Sequence, residues 1–307
     1  MPDRRRPWPP GRPVRPAEPV TRGARPDRRT VLSGLGAFGL VSPSIGSAAE
    51  ASTAAPFPWR GHLVQGGLLI GRTRPGDRVR VDNDITAVAG ASGLFVVGFD
   101  RDSADRVRIE TALGAATLAI APGVFDIQRI DGLPPDQVSP TAPALLARIA
   151  DETARKTLAF AHQAAAEDFA EGFILPVAHA ARTSAFGPQR ILNGVPKPPH
   201  YGVDLAAPAG TPIVAPADGL VVMAEPDLWF EGGLTLIDHG QGLISAYLHQ
   251  RAQRVTAGDR VVRGQEIGEV GMKGRATGPH LCWRLTWRRR HLDPGILLDL
   301  RGPSGLG

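Results

Sequence analysis

The sequence predicts a mainly β protein, with a small N-terminal β-sandwich-like module, a helical connector and a C-terminal β-sandwich domain. Residues 61–130 contain short apolar runs separated by turn residues, which is typical of strands. Residues 141–171 are rich in alanine and contain no glycine, which favours helix. From Phe173 onward, apolar runs and Gly/Pro turns return. These shifts predict four segments: an export signal over residues 1–51, the β module over 57–135, the connector over 140–172 and the C-terminal domain over 173–300.

The predicted strands of the N-terminal module are short and closely spaced. Val79 and Val81 alternate with arginines, whereas residues 94–97 form a continuous apolar run. Turn residues at 74–77 and 82–84 separate these runs. Short strands at this spacing predict an all-β module. Because no cluster of catalytic residue types lies in it, we expect it to have a structural or positioning role.

The connector has the start and stop residues of a helix. Thr141 is a fair N-cap, Pro143 suits the first turn and Gly172 suits the end. The segment is long enough for one long helix or two shorter ones.

The composition argues against a small disulfide-stapled protein and, once the charges are located, against a nucleic-acid-binding protein. A single cysteine in 307 residues cannot form an internal disulfide, and 42% hydrophobic residues are enough for a true core. The formal charge of +5 suggests a nucleic-acid partner until the charges are located. Residues 1–30 hold nine arginines and three acidic residues, and removing them from the totals of 35 and 30 leaves 26 basic and 27 acidic residues. The body is therefore close to neutral, and we expect no nucleic-acid partner.

The N-terminal segment has the three parts of a twin-arginine-type export signal in the correct order. Arg28 and Arg29 precede a weakly apolar run over residues 31–41, and small residues follow at 47–51. The apolar run is shorter than the ~20 residues that a membrane-spanning helix needs. We therefore expect a periplasmic or extracellular protein with no membrane span after signal removal; the alternative is a disordered basic arm.

Histidine, aspartate and cysteine residues of the C-terminal domain form three groups. His200 and Asp204 are four residues apart in a Gly/Pro-containing stretch, and both types ligate zinc. His249 ends an alternating strand. His280 and Cys282 are two residues apart in another strand, so their side chains point to the same face. Taken singly, the first pair fits a surface hydrogen bond, and the last pair fits core packing.

Together and in this order, the groups resemble the lysostaphin/LytM-type zinc metallopeptidases that cleave peptide cross-bridges of bacterial cell walls. The resemblance extends from about Phe186 to Pro294, and the module upstream also resembles one found before some such peptidases. The motifs that carry the resemblance are Phe186-Gly187-Pro188-Gln189-Arg190, His200-Tyr201-Gly202-Val203-Asp204, Ala215-Pro216-Ala217-Asp218-Gly219, Asp238-His239-Gly240, Tyr247-Leu248-His249 and Gly278-Pro279-His280-Leu281.

The resemblance implies a zinc-dependent endopeptidase that hydrolyses peptide cross-links of peptidoglycan. His200 and Asp204 would be zinc ligands, and His249 and His280 would be catalytic. The family's third ligand is a histidine, but this sequence has Cys282 at that position. A thiolate is an excellent zinc ligand, although it leaves less positive charge on the metal than imidazole does.

Tyr247 shares a predicted strand face with His249, so it either contacts substrate or packs in the core.

Three alternatives stay open at this point. The first is a degenerate, non-catalytic module that binds the wall, activates a wall amidase or docks on division machinery. The second is a biotin- or lipoyl-type carrier, since Lys273 lies between glycines after a strand–turn pattern. The third makes Cys282 a nucleophile, with His280 or His249 as its base.

Overall fold

The computed structural model describes residues 55–82 and 85–299. In its N-terminal module, apolar and polar residues alternate along the strands. In the strand Arg78–Val81 both valines are buried and both arginines are exposed. The module has eight strands: β1 Trp59–Gly61, β2 Leu68–Arg72, β3 Arg78–Val81, β4 Ile85–Val88, β5 Leu94–Gly98, β6 Arg106–Thr111, β7 Gly114–Ala119 and β8 Ile127–Ile130. One sheet has the order β1-β2-β5 and another the order β4-β3-β6-β7. The predicted export signal lies outside the described residues.

Aromatic packing fixes the interior of this module. The rings of Phe57 and Phe95 meet edge to face, with centroids 5.5 Å apart. Gly71 lies beneath the ring of Phe95, and a Cβ there would come within 2.3 Å of it. A side chain at position 71 would therefore push the ring out of its place in the core.

The connector is helical over a shorter range than the sequence suggested. A short helix, α1, spans Pro135–Val138, and the main helix, α2, spans Pro143–Phe160 with Ala142 as its N-cap. The expectation of helix as far as residue 171 is wrong, because tertiary hydrogen bonds hold residues 161–172 in a non-helical path.

Two hydrogen bonds show what holds that path. The Ala164 N–H donates to the Asp238 carboxylate at 2.8 Å. The Gln241 N–H donates to the Ala164 carbonyl at 2.7 Å. The segment is thus tied to a hairpin of the C-terminal domain rather than to its own helix.

The C-terminal domain is built around one large sheet. Its strands are β9 Ala181–Ser184, β10 Gln189–Leu192, β11 Val195–Lys197, β12 Gly202–Ala206, β13 Pro212–Val214, β14 Gly219–Leu228, β15 Gly232–Asp238, β16 Leu243–Gln250, β17 Ala252–Gln253, β18 Arg260–Val261, β19 Glu266–Glu269, β20 His280–Trp287 and β21 Arg290–Leu292, followed by a 3₁₀ helix, Pro294–Asp299. The large sheet has the order β18-β14-β15-β16-β20-β12-β9, with β21 beside β20. The mainly β class is therefore as predicted.

The central strands of this sheet are covered on both faces. All eight residues of β16 are buried. One face belongs to the core that continues into the N-terminal module, where Gly98 of β5 lies against Trp287 and Leu292. The other face forms a second cluster, against which Ala159 and Phe160 of α2 pack. The two β modules therefore share a core. The boundaries of the four segments that the sequence predicts stay a prediction.

A smaller sheet joins the two β modules beside the large one. β8 runs parallel to β10, and β11 completes the sheet on the far side of β10. It places Gln128 and Arg190 side by side in register. Among the described residues, no helix has the length and apolar character needed to cross a membrane.

Candidate metal centre

Two neighbouring strands bring the predicted ligands together. β12 pairs antiparallel with β20, and their register places Asp204 opposite Cys282 and Ala206 opposite His280. Directly opposed residues on paired strands have side chains on the same face. His200 precedes β12 and is 1% exposed. The side chains of His200, Asp204 and Cys282 converge so that their ligand atoms all lie within 4.8 Å of one another.

The tautomer of His200 follows from its backbone contact. Its Nδ1 lies 3.2 Å from the Ala185 carbonyl oxygen and 3.0 Å from the Ser184 hydroxyl. A carbonyl oxygen only accepts, so the proton is on Nδ1. The Nε2 lone pair then faces Cys282 Sγ at 3.3 Å and Asp204 Oδ1 at 3.1 Å.

These contacts fit a bound cation. Asp204 Oδ1 is buried without a hydrogen-bond partner, and it faces a nitrogen lone pair. Two lone pairs at this distance repel unless a positive charge lies between them. Ligand atoms on a tetrahedral zinc are about 3.3–3.6 Å apart, given bond lengths of about 2.0–2.3 Å. The separations of 3.1 and 3.3 Å are close to that range. The donor set therefore fits zinc.

The protonation states of these groups are set by burial and by nearby charge. Burial lowers the pKa of His200, which keeps the imidazole neutral. Burial acts to raise the pKa of Asp204, but nearby positive charge, including that of the Arg190 guanidinium, holds that pKa well below its usual range. Burial raises the pKa of the Cys282 thiol to about 11. Without a metal, the cysteine is therefore a neutral thiol at pH 7.

Two arginines that the sequence analysis did not single out lie against these ligands. Arg190 Nη2 is 3.4 Å from Asp204 Oδ2, and its Nε donates to Gln128 at 3.1 Å. Arg284 is buried beside Cys282, and the proximity of the thiol raises its pKa against the effect of burial. Arg190 is the last residue of one of the quoted motifs. Arg284 is two residues after Cys282 in the same strand, so its side chain is on the same face. The sequence therefore contained a pattern that could have identified each arginine.

His249 and His280 form a second pair beside the ligands. Their ring centroids are 4.8 Å apart. The Nδ1 of His249 is 2.8 Å from the Lys273 carbonyl, and that of His280 is 2.8 Å from the Gly278 carbonyl. Each Nδ1 is therefore a donor, which leaves each Nε2 as an acceptor. Within the described part of the chain, neither Nε2 forms a hydrogen bond, and His280 Nε2 is 3.7 Å from Asp204 Oδ1. Burial lowers the pKa of His249 to about 3.

His249 reaches this site through an irregular backbone. Leu248 pairs with Cys282, so plain alternation would send the next side chain to the opposite face of the sheet. His249 instead has a φ of 68°, and its N–H donates to the Glu231 carbonyl at 2.8 Å. The left-handed backbone is uncommon for a residue other than glycine, and here it turns the imidazole towards the ligands.

Tyr247 does not contact the site, and the expectation of a substrate contact is wrong. The side chain is fully buried in the main core, and its hydroxyl lies 2.7 Å from the hydroxyl of Ser245. Tyr247 has regular strand geometry and His249 does not, so their side chains do not share a face as the sequence predicted. Its alternative role in packing is the one that the structure supports.

Asp204 and the histidine pair open into a cleft of about 290 Å³. Asp204, His249 and His280 line it together with Arg190 and Arg275. A β-rich domain that places imidazole, carboxylate and thiol donors beside two further histidines in an open cleft has the features of a metallopeptidase.

Comparison with known proteins supports this class. Residues 198–294 match the model of peptidase family M23. Two Vibrio cholerae proteins also match part of the chain: the peptidoglycan DD-endopeptidases ShyA, 43% identical over 113 residues, and ShyC, 40% identical over 114 residues. Each match covers 36% of this chain and 26% of the relative, so the chain spans about a quarter of the length of these relatives.

The fold comparison extends further along the chain. A crystal structure of a peptidase M23 protein from Pseudomonas aeruginosa superposes with a TM-score of 0.59 at 29% sequence identity. The match covers 78% of this chain and 96% of that one. The likeness therefore includes the N-terminal module as well as the residues of the M23 domain.

Proposed function

We propose that this protein is a zinc-dependent endopeptidase that hydrolyses peptide cross-links of bacterial peptidoglycan, in the periplasm or outside the cell. One observation carries the proposal: His200 Nε2, Asp204 Oδ1 and Cys282 Sγ converge within 4.8 Å beside two histidines with free Nε2 atoms. The M23 domain and the endopeptidases that resemble it support the reaction and the substrate class.

The three converging residues would hold the metal, with Asp204 supported by Arg190. Zinc bound there would acidify a water molecule and polarise the scissile carbonyl. A peptidase centre of this kind needs three protein ligands and one open position, and the cleft provides access to the fourth side.

The chain's own acid–base groups are His249 and His280. Each donates from Nδ1 to a backbone carbonyl, which fixes the ring and leaves Nε2 facing the cleft as a proton acceptor. An Nε2 that takes a proton from the attacking water can return it to the leaving amine. The imidazolium formed in between can donate a hydrogen bond to the developing oxyanion.

The runner-up function is a non-catalytic module that binds the wall, activates a wall amidase or docks on division machinery. The observation that favours it is the buried Cys282 in place of a histidine, because burial raises the pKa of this thiol to about 11 and so disfavours the ligating thiolate. The cysteine nucleophile loses support for the same reason, and the imidazole that contacts Cys282 Sγ, at 3.3 Å, is that of His200.

Metal analysis combined with wall digestion tests the proposal. We expect about one zinc per chain, release of peptide fragments with new amino termini from purified peptidoglycan, loss of release after chelation and recovery when zinc is added back. A thiol alkylator that spares bound zinc should leave the reaction intact. Stoichiometric zinc with no cleavage of any wall preparation would contradict the enzyme and favour the docking module.

A further inference from the structure

The loop over residues 271–279 supports both catalytic candidates and carries one arginine between them. The Lys273 carbonyl accepts from His249 and the Gly278 carbonyl accepts from His280. Arg275 lies between these two supports and lines the same cleft as both histidines. Arg275 therefore lines the cleft in which a bound peptide would meet the acid–base pair.

The loop is held rigidly at Arg275. Its N–H donates to the Phe230 carbonyl at 2.9 Å. Gly274 has a φ of 74°, and a Cβ there would come within 2.4 Å of the Gly232 nitrogen, so the backbone passes very close to β15. The backbone from which the Arg275 side chain extends is therefore held in place by these contacts.

The contacts of the guanidinium orient it without neutralising it. Its carbon lies 4.7 Å from the centroid of the Phe230 ring, and Nη1 donates to the Gln137 carbonyl at 3.1 Å. Among the described residues, no carboxylate forms an ion pair with Arg275. The nearby Glu231 is paired with Lys156 at 2.5 Å.

The cleft around this cation lacks a free counter-charge. Asp204 is the one acidic side chain among the described residues that line it, and its two oxygens face His200 and Arg190. Burial lowers the pKa of Arg275, and the charges of Arg284 and Arg190 act in the same direction. A partly desolvated guanidinium with unused N–H donors binds a carboxylate well, because its planar fork matches the two oxygens.

We propose that Arg275 is a specificity-determining residue that binds a free carboxylate of the peptide substrate close to the scissile amide. This inference rests on the proposed endopeptidase function and deepens it: the substrate class is an anionic peptide whose carboxylate fixes the amide beside His249 and His280.

The test uses two synthetic cross-linked peptides that differ at one position next to the scissile bond, where one has a carboxylate and the other a carboxamide. For the zinc-loaded protein we expect kcat/KM to be about 10- to 100-fold higher for the carboxylate, the range of a charge-assisted hydrogen-bonded pair. Arg275→Gln should reduce this ratio to within about twofold. Arg275→Lys should keep part of it, because the charge remains while the fork is lost.

Arg106→Gln, at an exposed position of β6, is the matched control and should keep the full ratio. Thermal unfolding of each variant shows whether the chain stays folded. If Arg275→Gln slows both peptides equally, Arg275 acts through its Gln137 contact and the proposal is overturned. A wild-type protein that treats the two peptides alike would overturn it as well.

Failure of the proposed function gives a different result. In that case the zinc-loaded wild type cuts neither peptide, and equilibrium binding of the same two peptides is measured by calorimetry. Tighter binding of the carboxylate peptide that disappears in Arg275→Gln would uphold the assignment of Arg275 in a non-hydrolysing protein. Equal binding of the two peptides would overturn it.

Discussion

The N-terminal β module and the C-terminal β domain differ sharply in the polar side chains that they bury. Among the described residues of positions 57–135, Thr73 is the one buried polar side chain. The C-terminal domain buries ten in its described part: His200, Thr235, Asp238, His239, Gln241, Ser245, His249, Gln250, Glu269 and Thr286. Both regions use the same strand geometry and the same kind of apolar core, so the fold class does not require this difference.

Hydrogen bonds explain most of the buried polar groups. His239 bonds to the Asp218 carbonyl and to Ser245, and Gln250 bonds to Thr235. The metal centre departs from this pattern, because Asp204 Oδ1 is buried without a hydrogen-bond partner and faces a lone pair. Such a group costs about 1–3 kcal/mol unless something compensates for it. An unpartnered carboxylate oxygen that faces a lone pair therefore distinguishes the metal centre from His239, whose two ring nitrogens are both bonded within the fold.

The largest expected effect is loss of the metal. His200→Ala, Asp204→Ala and Cys282→Ser should each reduce zinc from about one per chain to near zero and abolish hydrolysis. Each removes one of the three proposed ligands, and a hydroxyl ligates zinc far more weakly than a thiolate. Zinc content by mass spectrometry and wall digestion measure this.

Asp77→Ala in the N-terminal module is the matched carboxylate control. Asp77 accepts hydrogen bonds from Thr73 and from the Ala112 N–H, so its removal should lower the unfolding temperature and leave zinc in place. Normal zinc in His200→Ala and Asp204→Ala would show that the centre is wrongly assigned.

The next effect in size concerns chemistry without loss of metal. His249→Ala should keep zinc and lower kcat by about 10²- to 10⁴-fold, the usual range for a lost acid–base group. His249 is outside the set of converging ligands but within ring contact of His280. His62→Ala, in the N-terminal module, should leave kcat unchanged. Loss of zinc from His249→Ala would instead make His249 a ligand.

The sequence allowed part of this centre to be predicted. The two-residue period of a strand placed His280 and Cys282 on one face, and the register of β12 and β20 adds Asp204 opposite Cys282. The same rule failed at His249, because its positive φ accompanies a hydrogen bond to Glu231 in the turn between β14 and β15. No local pattern announces such a bond.

Long-range contacts also limited the prediction elsewhere. Arg190 meets Asp204 because β10 pairs with β8 beside β12, a pairing between segments about sixty residues apart. The connector helix stops at Phe160 because Ala164 is bonded to the hairpin at Asp238 and Gln241. In both cases tertiary contacts determine a structural feature that local sequence propensity does not.

A smaller change tests why the centre has a cysteine. Cys282→His should keep zinc and raise kcat/KM by a few fold, because neutral imidazole leaves more positive charge on the metal than a thiolate does. Steady-state kinetics on a cross-linked peptide measure the effect. If the wild type binds no zinc while Cys282→His gains both zinc and activity, the natural protein is a docking module.

The smallest effect is on stability, and it concerns the junction of the two regions. The ring of His291 stacks on Tyr201, with centroids 3.8 Å apart, and burial lowers the pKa of His291 to about 4. The unfolded chain, with an ordinary histidine pKa of about 6.5, binds more protons between these values, so the free energy of unfolding must fall as pH drops from 6.5 towards 4. His291→Phe keeps the stack and removes the titration. Urea unfolding at pH 7 and pH 4 should show the variant losing about 2–3 kcal/mol less than the wild type. Equal losses would mean that His291 is solvated and takes up its proton in the folded chain as well, and the burial assigned to this junction would be wrong.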